Sequence, residues 1–178
     1  GSKSKKPDSF APLAWFRSGA MKRRKQGMKV FLIANPAAGR SARRKVEQAG
    51  DLLAGSGWSV GLHWTAQRGD ATELARQAVS ECADRVVAVG GDGTLNEVAH
   101  ALAGTPVPLG IIPLGTANCF ALETGIPLNT REAARALLSA RPRRIHLGQA
   151  NESYFLLMAG IGFDADIVYR IEQHLLSK

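Results

Sequence analysis

The stretch Arg85-Val86-Val87-Ala88-Val89 is short, apolar and β-branched, and it runs straight into Gly90-Gly91-Asp92-Gly93-Thr94. Such a run reads as a buried strand. The residues that follow, Leu95 to Leu102, place apolar side chains at 95, 98, 99 and 102, which is helical spacing. The glycines therefore occupy a strand-to-helix turn. Three of them there let a backbone come close to a ligand and adopt conformations closed to other residues. The first N–H groups of the helix face whatever enters the turn, and the helix dipole favours an anion. A glycine turn by itself often only connects two elements. The carboxylate of Asp92 is the distinguishing feature, because an anion cradle gains from a carboxylate only if a cation such as Mg²⁺ accompanies a phosphate.

The 178 residues suffice for one ordinary domain and a little more. No apolar run reaches the roughly 18 residues of a membrane span. Cys82 and Cys119 fall on separate expected elements, so neither a disulfide framework nor a metal knot is indicated, and a reducing cytoplasm is the expected compartment. The net charge of +8 invites a nucleic-acid reading. Its placement argues against one. Residues 1–29 hold nine basic residues and one acid, whereas residues 30–178 hold 14 of each sign. A duplex-binding domain more often carries its basic face on the folded body.

Taken in order, residues 1–28 show little periodicity and are expected to be a basic extension outside the fold, with Met28 as the natural start. Phe10, Trp15 and Phe16 upstream of Lys22-Arg23-Arg24-Lys25 give the alternative of a membrane-surface anchor. The body begins with Lys29–Ala34, a continuous apolar strand of the type buried in parallel sheets. A turn at Asn35–Gly39 leads to a helix over about 41–53, capped by Ser41. Arg40, Arg43, Arg44 and Lys45 crowd its first turn, either pointing into water or answering a bound anion. Trp58–Thr65 predicts a second strand. Asp70 and Glu73 predict a capping box for the next helix. The strand at 85–89 and a helix over 94–103 follow, then a strand at 107–112, the turn Pro113–Asn118, a short helix, and a helix over 131–140 capped by Thr130.

This β-α alternation predicts an α/β fold with a parallel sheet flanked by helices. Ligands bind such sheets at the carboxyl ends of the strands. The turns at 35–39, 65–69, 90–94 and 113–118 all leave those ends and are expected to converge on one crevice. The nucleotide-binding α/β domain is accordingly assigned to 29–142. After Pro142 the texture changes. Arg143–Leu147 and Tyr154–Met158 predict a hairpin about the polar turn 148–153, with a helix to the end. Residues 143–178 read as the start of a second, β-rich domain that cannot bury a core of its own.

Four motifs now stand in order: Asn35-Pro36-Ala37-Ala38-Gly39, Gly90 to Glu97, Pro113-Leu114-Gly115-Thr116-Ala117-Asn118, and Gly160-Ile161-Gly162-Phe163-Asp164-Ala165. Together they resemble the diacylglycerol kinase catalytic-domain family, above all its bacterial lipid-kinase branch, with sphingosine and ceramide kinases as relatives. The glycine-aspartate turn is shared with NAD kinases and phosphofructokinases; the last two motifs select the lipid-kinase branch. The resemblance implies phosphofructokinase-like N-terminal architecture, a C-terminal lipid-binding domain, and ATP with Mg²⁺ in the cleft between them. It matches Asn35 and Gly39 to the first phosphate-side turn and Thr65 to a threonine lining the nucleotide. It matches Gly91, Asp92, Gly93, Thr94, Leu95, Asn96 and Glu97 to the phosphate loop, and Gly115, Thr116 and Asn118 to the last turn. Asp92 is the residue matched to catalysis and metal.

Two departures temper the match. Cys119 stands where members often have Asp, and the expected general base and a regulatory metal site lie beyond Lys178. The four histidines at 63, 100, 146 and 174 lack metal-ligand spacing, and Asp166 serves as well to cap the last helix as to face a cleft. The expected function is ATP-dependent phosphorylation of a lipid hydroxyl, diacylglycerol or sphingoid, at the inner membrane surface. The alternatives are an NAD-kinase-like enzyme acting on a soluble substrate, and a catalytically incomplete nucleotide-binding fragment. Apolar Ile161 and Phe163 together with the final helix would then call for a partner such as a second copy.

Overall fold

In a computed structural model of the chain, the described residues are 27–36, 39–157, 160, 162, 165–167 and 169–170. Expectations that fall on the leader, on residues 37–38, on Asp164 and its neighbours 161 and 163, on the Arg40 side chain and on residues 171–178 lie outside them. The sheet comprises β1 (Lys29–Ala34), β2 (Ser59–Trp64), β3 (Arg85–Gly90) and β4 (Leu109–Pro113), in the order β2-β1-β3-β4 with every pairing parallel. Helices α1 (Gly39–Gly55), α2 (Asp70–Ser80), α3 (Asp92–Leu102), α4 (Cys119–Thr124) and α5 (Thr130–Ser139) connect and cover it.

The alternation of side chains along each strand divides the core in two. Val30, Leu32 and Ala34 of β1, with Val87 and Val89 of β3, pack against Val46, Ala49 and Leu53 of α1 and Ala133, Ala134 and Leu137 of α5. Phe31, Ile33, Val86 and Ala88 pack on the other side against Ala71, Ala75 and Ala78 of α2 and Leu95, Val98 and Leu102 of α3. The central strands are covered on both faces, which is why they read as unbroken apolar runs. Each such Val, Leu or Ile contributes about 1.5–3 kcal/mol on burial. The small alanines of α2 and α5 let those helices lie close to the sheet.

The strand order reverses between β1 and β3: from β1 the chain winds outward to β2, then returns past β1 to β3 and β4. A crevice opens at such a switch point, outside the carboxyl ends of the strands. Asn35 follows β1 there, with its N–H bonded to the Val89 carbonyl at 3.2 Å.

Beside the crevice two glycine turns interlock. The Leu114 N–H donates to the Gly90 carbonyl at 2.9 Å, and the backbone of Gly115 lies against that of Gly91. A methyl group on Gly115 would overlap the Gly91 Cα. The Asn118 side chain closes its own turn, accepting from the Gly115 N–H at 3.0 Å and donating to the Gly115 carbonyl at 2.8 Å. Asn118 itself sits at φ 50°, in the left-handed region that asparagine tolerates.

Several local expectations are corrected. α3 begins at Asp92, so Asp92 lies inside the helix and Gly91 is its N-cap. α1 begins at Gly39, ahead of Ser41. The N-cap of α2 is Gly69 at φ 93°, and the Asp70 carboxylate turns back to accept from Ala66 N–H at 2.7 Å and Gln67 N–H at 3.0 Å. It closes the preceding loop instead of capping the helix. The cap of α5 is Asn129, whose side chain accepts from the N–H groups of Arg131 and Glu132; Thr130 is buried in the first turn.

The hairpin also shifts. It consists of β5 (Gly148–Ala150) and β6 (Ser153–Phe155), with Asn151 and Glu152 as the turn. Asn151 at φ 53° supplies the positive φ that a two-residue hairpin turn requires. The Phe155 ring covers Gly148, where a side chain would collide. Residues 143–146, with two arginines, are exposed and outside the sheet.

Arg85 is buried at the start of β3. Its guanidinium donates to the Leu137 carbonyl at 3.0 Å and the Ala140 carbonyl at 3.5 Å, and it stacks 5.3 Å from the Trp58 ring centroid. It caps the C-terminal end of α5, where a cation complements the dipole. Burial pulls its pKa below the usual arginine value, and it stays charged because the start is so high. Arg85→Met is expected to leave those carbonyls without a donor, costing about 2 kcal/mol and lowering the melting temperature by roughly 4–8 °C. Gly115→Ala is expected to cost about 1–3 kcal/mol through overpacking. Thermal unfolding followed by circular dichroism measures both, and wild-type melting of either variant would contradict the packing described.

Candidate functional site

A cleft of about 490 Å³ opens at the switch point. Asn35 lines it from the end of β1, Thr65 to Arg68 from the end of β2, and Gly93, Thr94, Asn96 and Glu97 from α3. Three of the four expected turns thus meet there. The fourth does not. Pro113 and Asn118 line a separate, smaller recess with Gly90, Gly91 and Asp92, on the other side of the glycine turn.

The start of α3 is what gives the cleft a wall of backbone donors. No side chain caps this helix, and its first backbone bond runs from the Leu95 N–H to the Gly91 carbonyl at 3.1 Å. The N–H groups of Asp92, Gly93 and Thr94 precede that ladder and have no intrahelical acceptor. Thr94 is almost fully buried, and its side chain lies against Gly90 so closely that Gly90 has no room for a Cβ. Gly93 is the opposite case: a Cβ there meets nothing within 4 Å.

The far wall is a loop held by carboxylates. Asp70 ties down Ala66 and Gln67, and these two N–H groups hold its carboxyl below the usual aspartate range. Glu97 accepts the Gly69 N–H at 3.1 Å, and its carbonyl accepts the Thr72 hydroxyl at 3.1 Å. Thr65 is buried, with its N–H on the Ala34 carbonyl at 2.9 Å. Gln67 and Arg68, which line the cleft, had not been singled out in the sequence; their only signal is position, directly after a strand whose end faces the crevice. Arg43 lies over the Trp64 ring at 4.9 Å, which accounts for one of the cations in the first turn of α1.

Asp92 has a different neighbourhood from the one its motif suggests. Its Oδ2 accepts the Cys119 N–H at 3.0 Å and its Oδ1 accepts the Phe120 N–H at 3.2 Å. These are first-turn donors of α4, a helix whose own N-cap, Asn118, makes no side-chain cap bond. Asp92 therefore caps α4 from across the interlocked turns. Each carboxylate oxygen keeps acceptor capacity after one bond.

Of the remaining matched residues, Leu95 is core, Asn118 is committed to its turn, and Gly115 serves the interlock. Thr116 is exposed and outside both lining sets. Gly39 opens α1 after the first turn. Cys119 is half-buried. Asp166 pairs with Arg170 at 2.8 Å one turn on, on an exposed surface. Among the described residues no three His, Cys, Asp or Glu side chains cluster as a metal cage. Among them, too, no helix is long and apolar enough to cross a membrane.

A Pseudomonas putida protein named "Probable lipid kinase YegS-like" is 40% identical over 153 residues, covering 84% of this chain and 50% of that protein. A Bacillus subtilis "Diacylglycerol kinase" is 36% identical over 148 residues, covering 81% and 49%. The crystal structure of a diacylglycerol kinase from Bacillus anthracis strain Sterne superposes with a TM-score of 0.64 at 32% identity, over 75% of this chain and 47% of that one. The chain thus spans about half the length of the relatives it matches. The sequence model of the diacylglycerol kinase catalytic domain covers residues 29–150, which takes in the whole parallel sheet and its glycine turn, and the chain belongs to that family.

Proposed function

We propose that this chain is the nucleotide-binding part of an ATP-dependent lipid kinase. The observation that carries the reading is the uncapped start of α3, opening on a cleft at the switch point of a parallel sheet. Phosphoryl transfer asks a protein chiefly to position phosphates and stabilise their charge. The N–H groups of Asp92, Gly93 and Thr94, with the Thr94 hydroxyl, are the donors suited to that work. Asn35, Thr65, Gln67 and Arg68 form the walls that the rest of a nucleotide would meet.

Mg²⁺ fits this donor set as a companion of the nucleotide rather than as a resident ion. It is commonly held by one or two carboxylates together with phosphate oxygens and water. Glu97 is the carboxylate that lines the cleft, while Asp92, matched to the metal by its motif, lines the neighbouring recess and would reach such an ion only with the acceptor capacity left by its bonds to α4. When bound it neutralises charge on the phosphates. The protein's own share is to orient: the interlocked turns fix the start of α3, and Asp70 and Glu97 fix the facing loop. The acceptor, a diacylglycerol or sphingoid hydroxyl at a membrane surface, and the base that activates it belong to the part of the relatives that this chain does not span.

Gly93→Ala is a clean probe of the phosphate position. The added methyl meets no protein atom, so melting is expected to be unchanged or slightly raised, because alanine favours helix over glycine. ATP-Mg²⁺ affinity measured by calorimetry is expected to fall about tenfold or more if phosphate approaches that backbone. Unchanged affinity would move the phosphates elsewhere. Asp92→Asn tests the second role of Asp92. The amide nitrogen would face an N–H donor, so the variant is expected to lose about 1–3 kcal/mol of stability. Its nucleotide affinity is therefore to be measured well below its own melting transition. Transfer of labelled phosphate from ATP to a lipid by the whole protein, with none to NAD, tests the activity; the reverse result would replace the lipid reading.

A further inference from the structure

The sheet edge at β6 is completed by a helix. In a hairpin with a two-residue turn, alternate residues exchange bonds with the partner strand and the others point outward. Ser153 pairs with Ala150 beside the turn and Phe155 with Gly148, so the N–H groups of Tyr154 and Leu156 point to the open edge. Both are met from α3. The Nδ1 of His100 accepts the Tyr154 N–H at 3.2 Å, and the Oδ1 of Asn96 accepts the Leu156 N–H at 3.2 Å. Asn96 and His100 are four residues apart and so lie one above the other on one helix face. Tyr154 and Leu156 are two apart on one strand edge. The spacing matches because a helical turn rises about 5.4 Å and two strand residues about 6.6 Å.

The pairing is reinforced around it. The Tyr154 ring lies 5.9 Å from the His100 ring, and Leu156 packs into the core cluster shared by α2 and α3. The helix is the one whose first turn forms the wall of the cleft. Asn96, moreover, lines that cleft while its oxygen is bound to Leu156.

We propose that Asn96 and His100 form a latch, two positioning residues that lock β6 and the Leu156 that follows it onto the helix of the glycine turn. The latch fixes the chain leaving Leu156 relative to the phosphate cleft. Its value for catalysis rests on the kinase reading above, in which the acceptor site belongs to the half of the relatives beyond this chain. Its existence does not. Asn96 thereby acquires a role different from the nucleotide contact that its motif suggests: its oxygen serves the backbone of the following segment.

Hydrogen exchange of the 178-residue chain, read on peptides covering 148–157, tests the latch, with calorimetric ATP-Mg²⁺ titrations beside it. His100→Phe keeps a ring but removes the acceptor. Exchange at 153–157 is expected to quicken roughly tenfold, while β1 to β4 exchange as in the wild type. His100→Asn places an oxygen near the Nδ1 position and is expected to restore protection. Asn96→Ala is expected to quicken exchange in the same peptides, which is the readout that a nucleotide contact alone would not move. Unchanged exchange in His100→Phe, quickening spread evenly over the sheet, or no restoration by asparagine would each overturn the latch. A tenfold loss of ATP affinity in Asn96→Ala without faster exchange at 153–157 would return Asn96 to the nucleotide and overturn its positioning role. If the wild type binds no nucleotide at all, the kinase reading fails and the exchange data still decide the latch.

Discussion

The contact between two glycine backbones, Gly91 and Gly115, sets the geometry on which the site depends. Gly115 has no room for a side chain on the facing side, Gly91 would be tight with one, and the Gly90 carbonyl accepts the Leu114 N–H across the same seam. Backbones this close need every polar group supplied locally. Asn118 satisfies Gly115, and Asp92 satisfies the first donors of α4. The two strand ends are therefore one rigid unit. The start of α3 inherits its direction from that unit, and with it the direction in which its N–H groups face the cleft.

This arrangement gives one carboxylate two neighbourhoods. Asp92 stands at the first turn of a helix, where negative charge is favourable, and it also caps a second helix. A residue of this kind is constrained by folding before any ligand arrives. Glu97 is used in the same way on the opposite wall, where it holds Gly69 in place. Acidic side chains in the motif are thus structural ties, Asp92 to the first turn of α4 and Glu97 to the loop at Gly69. The donors at the α3 wall of the cleft are backbone N–H groups, with no lysine in the turn.

Much of the fold was legible because β-branched runs and helical spacing alternate without interruption from Lys29 to Ser139. The expected strands are found within one or two residues, and α/β architecture follows from that order. Helix ends were less legible. Asp70 and Thr130 have the chemistry of caps, yet each lies inside its helix, because Gly69 takes a left-handed turn that Asp70 closes and Asn129 precedes Thr130 with a better-placed oxygen. The position of the hairpin is less legible, since the arginine-bearing run at 143–147 has the pattern of a strand while the turn is fixed by Asn151 and its positive φ.

The sequence by itself determined the local geometry of the turn: a glycine turn between a buried strand and a helix leaves the first N–H groups of that helix without intrahelical acceptors, whatever surrounds it. It also determined the parallel sheet, because period and order are properties of the chain alone. Which turns share the cleft was decided by tertiary structure. Strand order puts β1 and β3 side by side, so Asn35 and Thr65 reach the α3 wall, whereas the β4 turn lies beyond Asp92 and lines a recess of its own. The partners of Asp92, Asn96 and His100 were equally out of reach, because they are backbone N–H groups 27 to 60 residues away. Every residue except proline offers such a donor, and only the packed chain selects which one is met.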